Sequence, residues 1–81
     1  MWKVYFLKST KKNWYYVGST NGLSRRIKEH NSGRVKSTKH HLPLKLVHTI
    51  DCASEKDARN LEKKIKQKRL LKEEIIRTIK M

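Results

Sequence analysis

The side chains best suited to chemistry are two tyrosines near the start of the chain, an arginine and a histidine after them, and one distant glutamate. They are Tyr5, Tyr16, Arg26, His30 and Glu62. A phenolate or an imidazole can accept a proton, and a guanidinium can neutralise an anionic phosphate. A carboxylate is a hard oxygen ligand for Mg²⁺. Together these groups could cleave a phosphodiester bond.

The charge of the chain suits a polyanionic substrate. Among 81 residues there are 21 Lys and Arg against 7 Asp and Glu, which gives a formal net charge of +14. No acidic residue occurs between Glu29 and Asp51. The basic residues in that interval include Arg34, Lys36, Lys39 and Lys45. This pattern is typical of nucleic-acid binding but does not predict catalysis, so a non-catalytic binding module or an RNA- or ribosome-associated accessory protein remains an alternative.

Length and cysteine content narrow the class of protein further. The length predicts a single domain over residues 1–81. A lone Cys52 excludes an internal disulfide and a zinc finger, and it fits a reducing, cytoplasmic compartment. No apolar run approaches the roughly 20 residues that a membrane span requires, so no membrane partner is expected.

Two strands must position the tyrosines. Residues 3–8 and 14–19 are rich in aromatic and β-branched side chains, and the polar stretch 9–13 between them predicts a hairpin loop. Alternate residues of a strand share one face of the sheet. Simple pairing of this hairpin would therefore bring Tyr5 and Tyr16 together on one face.

A first helix must position Arg26 and His30. Thr20 or Asn21 can cap a helix whose apolar positions are Leu23 and Ile27. The Asn-Ser-Gly sequence at 31–33 predicts its end, with the glycine just after the last turn. The first helix therefore follows directly on the second strand.

The remaining elements complete the predicted fold. Residues 34–43 form a basic loop, and 44–50 a third strand. Ser54, with Asp57 three residues later, is a loose variant of the capping box. Two further helices are indicated by the apolar positions Ala58, Leu61 and Ile65, and Leu71, Ile75 and Ile79. The predicted class is α/β (α+β), with a small three-stranded antiparallel sheet flanked by helices in the order β-β-α-β-α-α.

Glu62 lies on an apolar helix face, beside Ala58, Leu61 and Ile65. A buried carboxylate costs several kcal/mol unless it is paired or bound to a metal. One interpretation places Glu62 at the edge of this face, paired with Lys66 one turn later. The other makes Glu62 a ligand for Mg²⁺, which takes few protein carboxylates and keeps several waters.

The other candidates also have structural explanations. Arg26 and His30 are four residues apart on one helix face, but a solvated arginine and a helix-terminal histidine are common. Strand tyrosines such as Tyr5 and Tyr16 are usually core residues. Gly18, at the end of a strand, indicates either a close approach to the backbone or a turn.

The joint order of these residues closely resembles the GIY-YIG nuclease family, over essentially the whole chain. The matching features are Val-Tyr, then Tyr-Val-Gly, then Leu-x-x-Arg-x-x-x-His, then a helical glutamate. The chain looks most like the small standalone, UPF0213-like branch. In that branch Glu-His-Asn-Ser-Gly, here 29–33, is followed by a basic threonine-bearing loop, here 36–40, and by Pro-x-Lys-Leu-Val, here 43–47. The stretch 58–66 resembles the metal-ligand helix of the family.

The resemblance implies a role for each candidate. Tyr16 would activate the attacking group, with Tyr5 in support, and Arg26 would stabilise charge on the phosphate. Glu62 would hold one divalent metal, Mg²⁺ or Mn²⁺, that aids departure of the 3′-oxygen. His30 falls where relatives carry a histidine or tyrosine in the site. The implied reaction is one-metal phosphodiester hydrolysis that leaves a 5′-phosphate.

The expected function is therefore that of a metal-dependent DNA endonuclease with low sequence specificity, structure-selective, in DNA repair or processing. Its substrate would be duplex, branched or single-stranded DNA. The residues expected to contact nucleic acid are Arg25, Lys28, Arg34, Lys36, Thr38, Lys39 and Lys66. Lys3 replaces the glycine of the first family triplet, and Ser19 stands where the excision-repair relative has a lysine. Family nucleases usually carry a separate recognition domain, so a protein partner could supply specificity.

Overall fold

The chain forms three strands and three α-helices in the predicted order β-β-α-β-α-α. The structure is a computed structural model, and it describes residues 1–80. The elements are β1 (Trp2–Ser9), β2 (Tyr15–Thr20), α1 (Leu23–Asn31), β3 (Leu44–Cys52), α2 (Glu55–Gln67) and α3 (Arg69–Lys80). A short 3₁₀ turn, Lys39–His41, interrupts the predicted basic loop. None of the helices in residues 1–80 has the length and apolar character needed to cross a membrane.

The sheet is antiparallel throughout, with the strand order β2-β1-β3. β1 is therefore central, and β2 has one edge free of strand partners within the described chain. In the β1–β2 register Tyr5 lies opposite Gly18, and Leu7 lies opposite Tyr16. Tyr5 and Tyr16 are thus diagonal neighbours, and their ring centroids are 6.3 Å apart. This confirms the proximity expected from the alternation of the strands.

The two faces of the sheet carry separate apolar clusters, as the period of two in β1 requires. Val4, Phe6 and Val17 are buried against Ala58 and Ile65 of α2. α3 packs against the same face through partly buried residues that include Leu71, Ile75, Ile76 and Ile79. On the opposite face, the cluster of Tyr5, Leu7 and Leu44 is covered by Leu23, Ile27 and others. Tyr5 therefore belongs to the core on the α1 side of the sheet.

The helix termini confirm one predicted cap and correct another. Ser54 caps α2, because its Oγ accepts a hydrogen bond of 3.1 Å from the backbone N–H of Asp57. The prediction that Thr20 or Asn21 caps α1 is wrong. Gly22 occupies the N-cap position without a side-chain cap, and Thr20 Oγ1 instead accepts from the Gly22 N–H at 3.0 Å. At the other end Gly33 has φ +80°, the left-handed conformation that glycine adopts most readily, as expected for a residue just past a helix.

Candidate active site

Tyr16 lies where β2, α1 and α2 meet, and four of the predicted site residues surround it. Its ring centroid is 5.0 Å from that of His30 and 6.3 Å from that of Tyr5. The Lys66 ammonium lies 5.1 Å from the centre of the Tyr16 ring. Lys66 in turn contacts Glu62. The edge strand β2 therefore places Tyr16 between Tyr5 of β1 and His30 of α1 on one side and the Lys66–Glu62 pair of α2 on the other.

A buried chain of hydrogen bonds fixes Tyr5. The Tyr5 hydroxyl is 2.9 Å from His30 Nε2, and His30 Nδ1 is 2.9 Å from Thr38 Oγ1. The Thr38 hydroxyl is also 3.4 Å from the carbonyl oxygen of Val35, to which it can donate. His30 Nδ1–H can then donate to Thr38, and Nε2 accepts the proton of Tyr5.

Thr38 occupies a different place from the one its sequence context suggests. The sequence indicates a nucleic-acid contact in a basic loop. In the structure the Thr38 side chain is fully buried and bonded to His30. Its contribution is therefore to orient the imidazole of His30, because the hydroxyl does not reach the surface.

Burial keeps both Tyr5 and His30 uncharged at neutral pH. Desolvation raises the pKa of Tyr5 to about 12, although the neighbouring Arg26 opposes the shift. Desolvation also lowers the pKa of His30 to about 4, and the charge of Arg26 lowers it further. Tyr5 is thus a phenol that donates to a neutral imidazole across the physiological range.

His30 should make the stability of the protein depend on pH. Its pKa is about 4 in the folded state and about 6.5 in the unfolded chain, so protonation favours unfolding. The stabilisation is complete above pH ~6.5 and is lost as the pH falls towards ~4, by up to ~3 kcal/mol at 1.36 kcal/mol per pKa unit. Urea unfolding at pH 7, 5.5 and 4 measures this loss.

Two variants isolate the contribution of His30. His30→Gln removes the titration and should lose clearly less stability between pH 7 and 4 than the wild type does. His40→Gln changes an exposed imidazole in the adjoining loop and should keep the wild-type pH dependence. Equal losses in His30→Gln and the wild type would contradict the assignment.

Arg26 lies beside Tyr5 and is restrained by an acidic neighbour on its own helix. Its Nη1 lies 3.0 Å from Glu29 Oε2, and both side chains are about one-third exposed. Arg25 lies on the far side of the same carboxylate, with its Nε 3.9 Å from Glu29 Oε1. Glu29 therefore restrains the guanidinium of Arg26 without burying it, so an incoming phosphate can still reach it.

Glu62 uses both of its carboxylate oxygens. Oε1 accepts a hydrogen bond of 2.6 Å from Ser19 Oγ, and Oε2 lies 2.8 Å from Lys66 Nζ. The pairing with Lys66 that the helix spacing suggests is confirmed. The negative charge of Glu62 also contributes to the raised pKa of Tyr5, so the carboxylate acts on the same site as the tyrosines.

The residues around Glu62 fit a metal site in which the protein supplies a single carboxylate. Within residues 1–80, no group of three or more His, Cys, Asp or Glu side chains is arranged to hold a metal ion. Glu62 is therefore a single carboxylate rather than part of a protein cage. Mg²⁺ accepts such a site, because it commonly binds one or two carboxylates together with waters and substrate phosphates. A metal bound on the Oε2 side would have to displace the ammonium of Lys66.

Two small residues of β2 contribute more than their types suggest. Ser19, which stands where the excision-repair relative has a lysine, donates a hydrogen bond to Glu62 from the edge strand. Gly18 lies directly under Tyr5, because an ideal Cβ there would be 2.5 Å from the Tyr5 hydroxyl oxygen. The sequence signal for this close approach was the glycine at the end of an aromatic strand.

The residues expected to contact nucleic acid fall into separate groups. Arg25, Lys28 and Arg34 line a cavity of about 470 Å³ at the outer side of α1, together with Glu29 and Ser32. Lys36 and Lys39 are exposed on the loop after α1. Lys66 lines a different cavity, of about 310 Å³, that includes Ser19 and Glu62. The basic positions thus lie on α1, on the loop that follows it, and on α2.

Comparison with known proteins identifies the family to which this chain belongs. Residues 1–74 match the GIY-YIG catalytic domain, so the chain belongs to the GIY-YIG family, a superfamily of endonucleases. The resemblance inferred from the tyrosine triplets is thereby confirmed. The similar relatives below narrow the assignment to the small UPF0213-like branch.

Two curated relatives and one solved structure are similar to this chain. A UPF0213 protein of Streptococcus pneumoniae is 41% identical over 56 residues, which cover 68% of this chain and 57% of the relative. The UPF0213 protein YsiG of Lactococcus lactis is 36% identical over 73 residues, which cover 89% of this chain and 69% of YsiG. The solution NMR structure of a UPF0213 protein from Bacillus halodurans is 33% identical, with a TM-score of 0.58, over 96% of this chain and 85% of that one. The predicted fold is confirmed by this structural neighbour.

Proposed function

We propose that this chain is a divalent-metal-dependent DNA endonuclease with little sequence preference of its own. The observation that carries the proposal is the convergence of Tyr16, His30 and Glu62 at one edge of the sheet, in a chain of net charge +14. A role in DNA repair or processing, with specificity supplied by DNA structure or by a protein partner, is part of the proposal.

The two tyrosines have different roles in this proposal. Tyr5 is buried, bonded to His30, and has a pKa of about 12, so it keeps its proton at neutral pH and serves to position its neighbours. Tyr16 is partly exposed and has the Lys66 ammonium over its ring. Tyr16 is therefore the phenol that a substrate can reach, and it activates the attacking group.

Arg26 and Glu62 flank the position of the scissile phosphate. Arg26 stabilises the negative charge that grows on the phosphate during attack. Glu62 would hold Mg²⁺ or Mn²⁺, which when bound assists departure of the 3′-oxygen. Ser19 fixes the carboxylate by donating to Oε1, and Glu62 would hold the metal in place of the Lys66 ammonium.

Lys66 should compete with the metal for Glu62. Lys66→Met removes the ammonium from Oε2, and an exposed ion pair is worth up to about 1 kcal/mol. We expect the DNA-free variant to bind Mn²⁺ about two- to fivefold more tightly, since 1.4 kcal/mol corresponds to about tenfold. Broadening of NMR signals around Ser19 during a Mn²⁺ titration measures the affinity.

The matched control for this prediction is Lys64→Met. Lys64 lies on the same helix and is exposed, but it does not line the cavity around Glu62. Lys64→Met changes the net charge by the same amount as Lys66→Met, and it should alter the Mn²⁺ affinity less. Equal effects of the two variants would mean that Lys66 acts only through overall charge.

The test of the proposed function is cleavage of a DNA panel. Purified protein is incubated with branched, duplex and single-stranded DNA in the presence of Mg²⁺, Mn²⁺ or EDTA. We expect cutting with either metal and none with EDTA. Tight binding without cutting on every substrate would refute the nuclease and leave a non-catalytic binding module, and a clear preference for RNA would favour the accessory protein instead.

A further inference from the structure

The loop between α1 and β3 reaches the active site through one buried side chain. Thr38 is fully buried, whereas Lys36 and Lys39 of the same loop are exposed. Its Oγ1 is 2.9 Å from His30 Nδ1, and His30 Nε2 is 2.9 Å from the Tyr5 hydroxyl. His30 and Tyr5 are themselves buried. These three side chains therefore connect the loop to the central strand of the sheet by a chain of two hydrogen bonds.

The backbone of the loop holds Thr38 in place independently of its imidazole partner. The carbonyl oxygen of Val35 accepts from the backbone N–H of Thr38 at 3.1 Å. The ends of the loop are closed by Asn31, whose side chain donates to the carbonyl oxygen of Leu44 at 3.0 Å and accepts from its N–H at 2.8 Å. A side chain with such support can orient its partner rather than follow it.

The direction of the hydrogen-bond chain is decided at Arg26. Burial raises the pKa of Tyr5, and a hydrogen bond from Arg26 opposes the rise. A guanidinium has donors and no acceptor, so the Tyr5 oxygen accepts from Arg26 and its own proton goes to His30 Nε2. The ring proton of the neutral imidazole is then on Nδ1, which donates to Thr38 Oγ1. Each bond in the chain thus determines the direction of the next.

We propose that Thr38 is a positioning residue that acts on Arg26 through this hydrogen-bond chain. By accepting from Nδ1–H, Thr38 holds the imidazole of His30 in the tautomer whose Nε2 can accept a proton. The hydroxyl proton of Tyr5 is thereby drawn away from the guanidinium, and the phenol oxygen is left to orient Arg26. The inference rests on the proposed function, because an oriented Arg26 serves to stabilise charge on the phosphate.

Removal of the Thr38 hydroxyl should reverse the chain. Valine has nearly the shape of threonine, but it cannot accept a hydrogen bond. In Thr38→Val a proton on Nδ1 would be buried without a partner, so the imidazole should move it to Nε2, where it can donate to the Tyr5 oxygen. The Tyr5 hydroxyl proton must then turn away from His30, and the oxygen is no longer left to Arg26 alone.

The tautomer of His30 tests this reversal at pH 7, where the imidazole is neutral because burial lowers its pKa to about 4. The two ring nitrogens give separate ¹⁵N NMR signals, and the unprotonated nitrogen lies far downfield of the protonated one. We expect the proton on Nδ1 in the wild type and in Thr38→Ser, which keeps the hydroxyl, and on Nε2 in Thr38→Val. An unchanged tautomer in Thr38→Val overturns the proposal. Protonation of Nε2 in the wild type also overturns it, even where Thr38→Val fails to fold.

Thr10→Val is the matched control. Thr10 Oγ1 donates to the carbonyl oxygen of Pro43 at 3.3 Å, so this variant removes a threonine hydroxyl that ties down the same loop at another point. His30 should keep its wild-type tautomer in Thr10→Val. A tautomer change equal to that of Thr38→Val would mean that any loosening of the loop moves the proton, and it would overturn the specific role of Thr38.

The effect on Arg26 is measured at the Nε–H group of its side chain. In ¹⁵N relaxation this group should be less ordered in Thr38→Val than in the wild type, and Thr38→Ser should restore the order. A changed tautomer with unchanged order of Arg26 would show that the effect ends at Tyr5, and it would overturn the proposal.

Cleavage assays separate this proposal from the nuclease itself. Thr38→Val should lower kcat about five- to tenfold, the loss expected for one misdirected hydrogen bond, with little change in KM because Thr38 is buried. Thr38→Ser and Thr10→Val should cut like the wild type. Cutting by the wild type together with an unchanged tautomer in Thr38→Val would keep the nuclease and remove the proposal. The expected changes in tautomer and in Arg26 order, without cutting by the wild type, would establish the positioning on a chain that is not a nuclease.

Discussion

Glu62→Gln should reduce DNA cleavage by about 100-fold or more without unfolding the protein, because a metal-borne charge contributes several kcal/mol to the transition state. Glutamine keeps the size of the side chain and an oxygen that can accept from Ser19, but it loses the charge that would hold Mg²⁺. The lost contact with Lys66 should cost about 1 kcal/mol of stability or less. Cleavage in Mg²⁺ and the melting temperature are measured on the same preparation.

Binding and a matched variant complete this test. In EDTA the affinity of Glu62→Gln for DNA should stay the same or increase, because one negative charge near the phosphates is gone. Glu55→Gln makes the same chemical change in the first turn of α2, where Glu55 pairs with Arg59, and it should cut like the wild type. Wild-type cutting by Glu62→Gln would refute the metal assignment and most of the proposed mechanism.

Gly18→Ala should disrupt both the fold and the site. The new Cβ would lie 2.5 Å from the Tyr5 hydroxyl oxygen, 2.6 Å from its Cζ and 3.0 Å from Tyr16 Cε2. Tyr5 is 1% exposed and bonded to His30, so its ring cannot move aside without leaving the core. Overpacking of this kind costs about 1–3 kcal/mol, and at ~4–8 °C per kcal/mol the melting temperature should fall by about 10 °C.

Gly22→Ala is the control for crowding at a glycine. There an added Cβ would meet the end of the Arg25 side chain at 3.1 Å, and Arg25 is exposed and can rotate away. The melting temperature of Gly22→Ala should stay within a few degrees of that of the wild type. If Gly18→Ala melts as Gly22→Ala does, the close packing of Tyr5 on the β2 backbone is wrong.

Local sequence patterns are sufficient to predict the strands and helices and the proximity of the two tyrosines. Two aromatic strands joined by a short polar loop pair as a hairpin, and alternation then places Tyr5 and Tyr16 on one face. The helix spacing likewise indicated that Glu62 could pair with Lys66. These relations depend on residues that are close in the chain, so the sequence carries them directly.

Relations between distant segments were harder to predict. The pairing of β3 with β1, which leaves β2 at the edge, is not encoded in any one strand. The hydrogen bond from Ser19 to Glu62 joins residues 43 positions apart, so no spacing rule anticipates it. Thr38 was misleading for a related reason, because its basic neighbours suggest an exposed loop while its own side chain is buried beside His30.

The most direct test of the account is the chemistry of the ends produced by the wild-type protein. DNA labelled at either end is incubated with Mg²⁺ or with EDTA, and the ends of the fragments are identified by their response to phosphatase and to ligase. We expect 5′-phosphate and 3′-hydroxyl ends in Mg²⁺ and intact DNA in EDTA. Fragments with 3′-phosphates, or equal cutting in EDTA, would contradict a metal-assisted departure of the 3′-oxygen at Glu62.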